Sequence, residues 1–328
     1  MELRQLGVLV AIADHGSFSA AAEALATVQS NVSAHVKKLE RELNTQLVDR
    51  ASGKLTDTGE LVVSRARRAK FEVEALLSDL TALRHDVAGT VRIGIIGTTA
   101  RWLVPRLLDL APGRFPALRL VFVEATTKAL ESQLAAGEVD IAVLNLPHTS
   151  SDLALTPLFA EELVLVASRD HPLARHSEIS VRRLDGLAIL LPYEGTAFRN
   201  ELDEAVAPLG VTLRPRAEVD GTRLIASLTF EGYGPAILPA TAVPTYLTGS
   251  WATIHVRELP PRQVGVAQRP RSLPSAPTRA VIEMLTEIVF APSGLPPGLS
   301  PVPPDRAGPA TRAEAPRGDR LAGAAPAT

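Results

Sequence analysis

The sequence predicts an all-α N-terminal part joined through one long helix to a larger α/β part of two lobes. Three patterns carry this expectation. Apolar residues recur at helical spacing through the first 57 residues, a heptad repeat runs from 58 to 88, and from Val91 short apolar runs alternate with helical stretches. A chain of 328 residues is long enough for two or three domains. At 46% hydrophobic and 21% charged residues, it has the composition of an ordinary soluble globular protein.

In the first helix Leu3, Leu6, Leu9, Val10 and Ala13 fall on one face. Gly16-Ser17-Phe18-Ser19 breaks that pattern and offers a serine N-cap. Ala20 to Ala26 is a run of strong helix formers whose small side chains let another helix approach closely. Thr27 is placed to cap a third helix beginning at Gln29, with Val32, Val36, Leu39 and Leu43 as its buried face. In the long helix, Val62, Ala66, Ala69, Val73, Leu76, Leu80, Leu83 and Val87 alternate spacings of four and three without a proline. That seam reads as a dimerisation surface, the alternative being a helix packed on its own chain, and Gly89 ends it.

The α/β part follows as strand VRIGII, helix Arg101–Leu110, strand LRLVFVEA, helix Ala129–Ala136 and strands DIAVLNL and ELVLVAS. A second unit spans Leu187 to Pro239, with LAILLP, a helix Arg199–Ala207, a strand around Ala217–Val219, a helix Arg223–Phe230 and PAILP. Alternation with short loops implies parallel sheets. Crossing strands are placed at Leu163–Ala167 and Val264–Ala267, leaving a cleft between the lobes. The expected domains are 1–58, the linking helix 59–88, and 89–290, divided into lobe I (89–165 and 267–290) and lobe II (166–266). Residues 291–328 are rich in Pro, Ala and Gly and are expected to be disordered.

Composition narrows the chemistry. There is no cysteine, which removes disulfides, thiol redox sensing and cysteine nucleophiles. No apolar run spans a membrane, and the N-terminus reads as an amphipathic helix rather than a signal peptide, so a cytoplasmic protein without membrane partners is expected. No P-loop, HExxH or GxSxG pattern is present. The seven histidines are scattered, and Asp170-His171 and Glu161-Glu162 are merely adjacent. No catalytic, metal or cofactor residue is therefore expected.

Net charge is only −2, but between Ser30 and Lys70 nine Lys/Arg stand against five Asp/Glu. The small apolar helix at 20–26, the short turn and the helix from Gln29 make a helix-turn-helix, in which the second helix enters the major groove. On a helical wheel Ser30, Ala34, Lys37 and Arg41 lie opposite the core face, with Asn31, Ser33 and Lys38 at the sides. Gln29 can pair bidentately with adenine, Ser30 and Ser33 can bond a base or phosphate, and Ala34 can meet a thymine methyl. Lysines further along reach phosphates, while His35 sits nearer the core flank.

These residues resemble the N-terminal domain of LysR-type transcriptional regulators. The matching blocks are MELRQL, AIADHGSFSAAAEAL, QSNVSAHVKKLERELNTQLVDR and LTDTGE, and RDHPLA and EGYGPAILP extend the likeness to about residue 290. The resemblance implies a winged helix-turn-helix that binds double-stranded operator DNA as a dimer, with Gln29, Ser30, Ser33, Ala34 and His35 on the recognition helix. Arg50 then closes the start of the wing, Ser52, Gly53 and Lys54 form its tip, and Lys37, Lys38, Arg41, Arg50 and Lys54 are the expected phosphate neutralisers. Three features depart from the family pattern: Val28 stands where serine is usual, Ala34 replaces a longer polar residue, and the wing Ala51–Leu55 is short.

The two-lobed part resembles the family's effector-binding domain, which has a periplasmic-binding-protein-like architecture. Candidate effector contacts are the residues that follow strands and open helices: Thr98, Thr99, Thr126 and Asn145 in lobe I, and Thr196, Arg199, Thr222 and Arg223 in lobe II. Threonines in such places also serve as N-caps, and arginines as ion-pair partners. Two arginines and several helix N-termini favour a small organic anion. The resemblance further implies a tetramer on DNA and contact with RNA polymerase. The competing readings are a solute-binding protein and a metabolic enzyme on the same bilobed scaffold.

Overall fold

A computed structural model of the chain describes residues 1–82, 87–146, 153–244, 249–270, 273–291 and 294–303. Three short helices come first: α1 (Leu3–His15), α2 (Phe18–Ala24) and α3 (Gln29–Leu43). The long helix α4 (Asp57–Ala82) follows. Lobe I is then built from β1 (Gly89–Ile95), α5 (Gly97–Arg114), β2 (Leu118–Glu124), α6 (Thr127–Ala136), β3 (Ile141–Leu146) and β4 (Ala154–Glu161). Lobe II contains β5 (Leu163–Ser168), β6 (Glu178–Ser180), β7 (Ala188–Pro192), α7 (Ala197–Val206), β8 (Arg214–Val219), α8 (Thr222–Phe230), β9 (Ala236–Pro239) and β10 (Trp251–Arg257). The chain returns to lobe I with β11 (Arg262–Gln268), α9 (Ala276–Phe290) and β12 (Leu299–Pro301). Among the described residues no helix is long and apolar enough to cross a membrane.

α1 is the centre of the N-terminal core: Leu6, Val8, Leu9, Val10, Ala11 and Ile12 are all buried against α2, α3 and α4. Leu3, expected on the buried face, is exposed, as is Leu43 at the end of α3. Val32, Val36 and Leu39 pack inward as their spacing requires. After α3 the chain makes a minimal two-stranded wing, closed by an antiparallel bridge between Val48 and Leu55. Glu40 pins this wing to α3. Its carboxylate accepts from the N–H groups of Leu47 (2.9 Å) and Val48 (3.2 Å) and from Arg50 Nη2 (2.5 Å). Burial works to raise the Glu40 carboxyl, but these three donors outweigh it and hold it below its ordinary value.

Gly59, in the first turn of α4, lies against the carbonyl of Leu47, where any Cβ would collide. Thr56 caps the helix by accepting from Gly59 N (3.0 Å) and donating to Gln46 O (2.9 Å). The wing and α4 thus share one junction.

The seam of α4 is only partly a free surface. Val73, Leu76 and Leu80 are exposed as expected, together with Leu61 and Leu77. Ala66, assigned to the same seam, is instead buried with Val63 in the N-terminal core, because the first half of α4 packs against α1. Leu83 lies outside the described residues, and Gly89, expected to end the helix, opens β1.

Each lobe carries a six-stranded mixed sheet, in the order β12-β4-β11-β3-β1-β2 and β6-β10-β5-β9-β7-β8. The βα units pair in parallel, as their apolar runs predict, but the strands that change lobes run antiparallel to their new neighbours. α5 and α9 pack side by side on lobe I, while α7 and α8 cover opposite faces of the lobe II sheet. All of Leu163–Ser168 belongs to the second sheet and all of Arg262–Gln268 to the first, whereas the expected boundaries cut through both strands. Part of the segment expected to be disordered is ordered: β12 pairs with β4. Residues 304–328 lie outside the described residues.

At the crossings, Glu161 ends β4 and Arg262 begins β11, and the two are register partners. Both are buried. Arg262 Nε lies 3.6 Å from Glu161 Oε2, and its Nη1 lies 3.9 Å from Glu201 Oε2. Its guanidinium stands 5.2 Å from the centre of the Phe198 ring. Burial raises the Glu201 carboxyl, partly offset by Arg262.

Two substitutions test this arrangement. Gly59→Ala is expected to destabilise the N-terminal domain by about 1–3 kcal/mol through overpacking, read as a lowered urea midpoint. Arg262→Ala is expected to cost the effector domain about 3–5 kcal/mol by stranding Glu161, whereas the paired change Glu161→Gln with Arg262→Met costs less. Equal destabilisation in both proteins would place the energy in packing rather than charge.

Candidate nucleic-acid interface and interlobe cleft

Ser17 caps α2 by accepting from Ala20 N at 3.1 Å. The turn then passes through Ala26 in a left-handed conformation (φ 50) and sets Val28 as the N-cap of α3. Thr27, expected to cap, instead accepts from Asn31 Nδ2 at 3.1 Å. Val28 offers no side-chain acceptor, so the first N–H groups of α3 have no side-chain partner. Gln29, Ser30 and Ala34 are exposed, Ser33 and His35 half-buried. Gln29 Oε1 accepts from Ser19 Oγ at 3.3 Å, which ties the side chain toward α2.

The five expected phosphate cations separate into two kinds. Lys38 is bound to Glu2 at 2.6 Å, a contact that raises the lysine and lowers the glutamate. Arg50 is bound to Glu40 and lies 5.7 Å from the Phe18 ring centre, which makes it a bolt between wing and helices. Lys37, Arg41 and Lys54 are exposed and make no ion pair among the described residues. Ser52 forms the wing turn rather than a free contact. Its hydroxyl donates to Asp49 (2.6 Å) and accepts from Lys54 N (3.3 Å). That hydroxyl and the Ala51 N–H hold the Asp49 carboxyl below its usual value. Sequence reasoning passed over Asn44, Thr45 and Gln46, which line an open concavity with Ala34, Lys37 and Arg41. The polar run directly after a basic i, i+4 pair was the available sign.

Of the candidate effector residues, Thr98 and Thr99 are buried in the first turn of α5, and the Thr99 hydroxyl has no partner among the described residues. The Asn145 side-chain oxygen is likewise buried and has no partner among the described residues, while Asn145 N donates to Thr127 Oγ1 (3.4 Å), a residue that the sequence pattern does not single out. Thr126 and Thr196 are N-caps, accepting from Ala129 N (3.4 Å) and Arg199 N (3.3 Å). Thr222 lies in the first turn of α8. Arg199 is engaged within lobe II by Asp203 (2.9 Å), Glu218 (2.6 Å) and the Pro192 carbonyl (3.2 Å). Arg223 crosses the cleft to Glu124 at 2.9 Å, beside Gly97. Arg101 Nη1 makes a second crossing, donating to Ala242 O at 2.9 Å. Both arginines that suggested an anionic effector are therefore already matched by carboxylates. Among the described residues no three His, Asp or Glu side chains gather as a metal-binding set.

Residues 3–60 match the profile of the bacterial regulatory helix-turn-helix protein, lysR family, and residues 84–289 match the LysR substrate binding domain. The DNA-binding transcriptional dual regulator OxyR of Escherichia coli is 30% identical over 295 residues, 89% of this chain and 95% of that protein. A probable RuBisCO transcriptional regulator of Cyanophora paradoxa is 31% identical over 249 residues, covering 74% and 77%. A cysteine-to-aspartate variant of full-length OxyR from Pseudomonas aeruginosa superimposes with a TM-score of 0.72 at 28% identity, covering 88% of this chain and 94% of that one. Full-length CbnR, complexed with its target DNA, shares the fold with a TM-score of 0.63 at 22% identity, covering 88% and 99%. The chain belongs to the LysR family: it is a DNA-binding transcription regulator that joins a helix-turn-helix domain to an effector-binding domain.

Proposed function

We propose that α3 reads operator DNA in the major groove through Gln29, Ser30, Ser33 and Ala34, with His35 at the flank. Lys37, Arg41 and Lys54 neutralise phosphates. Lys38 and Arg50 act first as structural ties. The observation that carries this reading is the coincidence of an exposed, small and polar α3 N-terminus with the three cations that have no acid partner among the described residues. The uncapped N–H groups at Val28 give α3 a further attraction for phosphate.

Two chains pair through the exposed stripe of Val73, Leu76, Leu77 and Leu80, which is apolar surface that water disfavours. Further pairing of effector domains makes a tetramer, acting in the cytoplasm, and ligand-driven changes in its pose alter contact with RNA polymerase. The effector is a small organic molecule held at Thr98, Thr99, Asn145 and Thr222. An organic anion enters by replacing Glu124 at Arg223. Several relatives are named as activators of hydrogen peroxide-inducible genes. With no cysteine in this chain, thiol oxidation is not its signal.

The test is a mobility shift on the intergenic DNA beside the gene, against random competitor at two salt concentrations. Specific retention is the expected result, and displacement by competitor at both salts overturns the operator reading. Lys37→Ala with Lys54→Ala is expected to lower the salt slope by about one unit for each phosphate no longer neutralised, while Lys38→Ala leaves it nearly unchanged. Gln29→Ala is expected to cost about 1–3 kcal/mol on the operator and to spare random DNA. Leu76→Lys with Leu80→Lys is expected to shift the chain toward monomer in sedimentation.

A further inference from the structure

Residues 294–303 lie past residue 289, where the match to the LysR substrate binding domain ends. They form a strap over the place where the chain passes from one lobe to the other. β12 pairs antiparallel with β4, setting Leu299 opposite Glu161, Ser300 opposite Ala160 and Pro301 opposite Phe159. Val302 N donates to Leu158 O at 2.9 Å, and Leu295 and Leu299 pack half-buried against the lobe I core.

Glu162 is the single residue between β4 and β5, and so the pivot of the first crossing. Both of its backbone groups are held. Its N–H donates to Gly298 O of the strap at 2.8 Å, and its C=O accepts from Ala240 N of lobe II at 3.0 Å. Its carboxylate lies 3.1 Å from His255 Nδ1 on β10. Gly298 also touches lobe II directly: a Cβ built on it would stand 2.7 Å from the Ala240 Cβ, and its φ of 80 is one that side chains rarely adopt.

We propose that the 294–303 strap sets the angle between the lobes by holding Glu162, and so sets how readily the cleft opens to its effector. Rotation of one lobe against the other must change the backbone dihedrals at the crossings, since the sheets on either side are rigid. At the first crossing that change breaks the bond from Glu162 N to Gly298 and separates Gly298 from Ala240. The strap therefore restrains the arrangement in which Arg223 meets Glu124. This inference rests on the two-lobed geometry and stands apart from the reading of α3.

The absence of cysteine allows a direct test. Lys128→Cys on α6 and Glu204→Cys on α7, both exposed, place one spin label on each lobe. Labelled chain is diluted with unlabelled chain so that only distances within one chain are read. Three proteins are compared: the full chain, a chain ending at Ala291, and the full chain with Gly298→Val. Both altered proteins are expected to show a broader interlobe distance distribution. Exchange of the Glu162 amide hydrogen is expected to quicken by about ten-fold or more. If the shortened chain does not fold, Gly298→Val carries the test alone. Unchanged distances and unchanged Glu162 exchange in Gly298→Val overturn the proposal, and they do so whatever the DNA-binding result.

Discussion

The arrangement of the whole chain depends on α4 meeting two domains at once. Arg67, on its middle turns, binds Asp14 of α1 on one side and Glu138 of lobe I on the other. Exposed ion pairs contribute little by themselves. On the N-terminal side Val63 and Ala66 pack into the core, and on the lobe I side the Arg269 guanidinium stands 4.2 Å from the centre of the Phe71 ring. Burial lowers the Arg269 pKa, and its Nη1 donates to the Leu134 and Val139 carbonyls at 3.0 and 2.9 Å. Asp79 then accepts from Ala276 N at 2.7 Å, fixing the far end of α4 to the start of α9.

In the second half of α4, Val73, Leu76, Leu77 and Leu80 share one face and are exposed. A helix that exposes a stripe of leucines in water is suited to a second copy. The DNA-binding domain therefore has a defined pose relative to both the effector domain and the stripe.

The cleft has a different logic. Arg199 and Arg223 are matched by carboxylates, and two contacts, Arg223 with Glu124 and Arg101 with the Ala242 carbonyl, join the lobes. A molecule that enters must favour one lobe arrangement over another, or it shifts nothing. Thr99 and Asn145 each bury a side-chain oxygen that has no hydrogen-bond partner among the described residues.

Much of this was legible in sequence. Periodicity places α3 from Gln29 and its core at Val32, Val36 and Leu39, because a helix has only one way to bury a stripe at that spacing. Continuous apolar runs mark β3, β7 and β9, which are buried on both faces. The short edge strands β6 and β12 carry no such pattern, since half-exposed edges do not need it, and β12 sits in a segment whose composition suggests disorder. Nor could spacing separate Lys37 from Lys38, or Arg223 from Arg199. Residue type and helix position determine that a cation is present and which way it leaves the helix. Which carboxylate lies within reach is decided only when distant segments pack: Glu2 against α3, Glu218 beside α7, Glu124 across the cleft. The sequence by itself determined the helices, the buried strands and the two-part architecture through local periodicity, and the tertiary structure alone decided which charges stay free to meet a ligand or DNA, because ion pairing depends on distances between residues far apart in the chain.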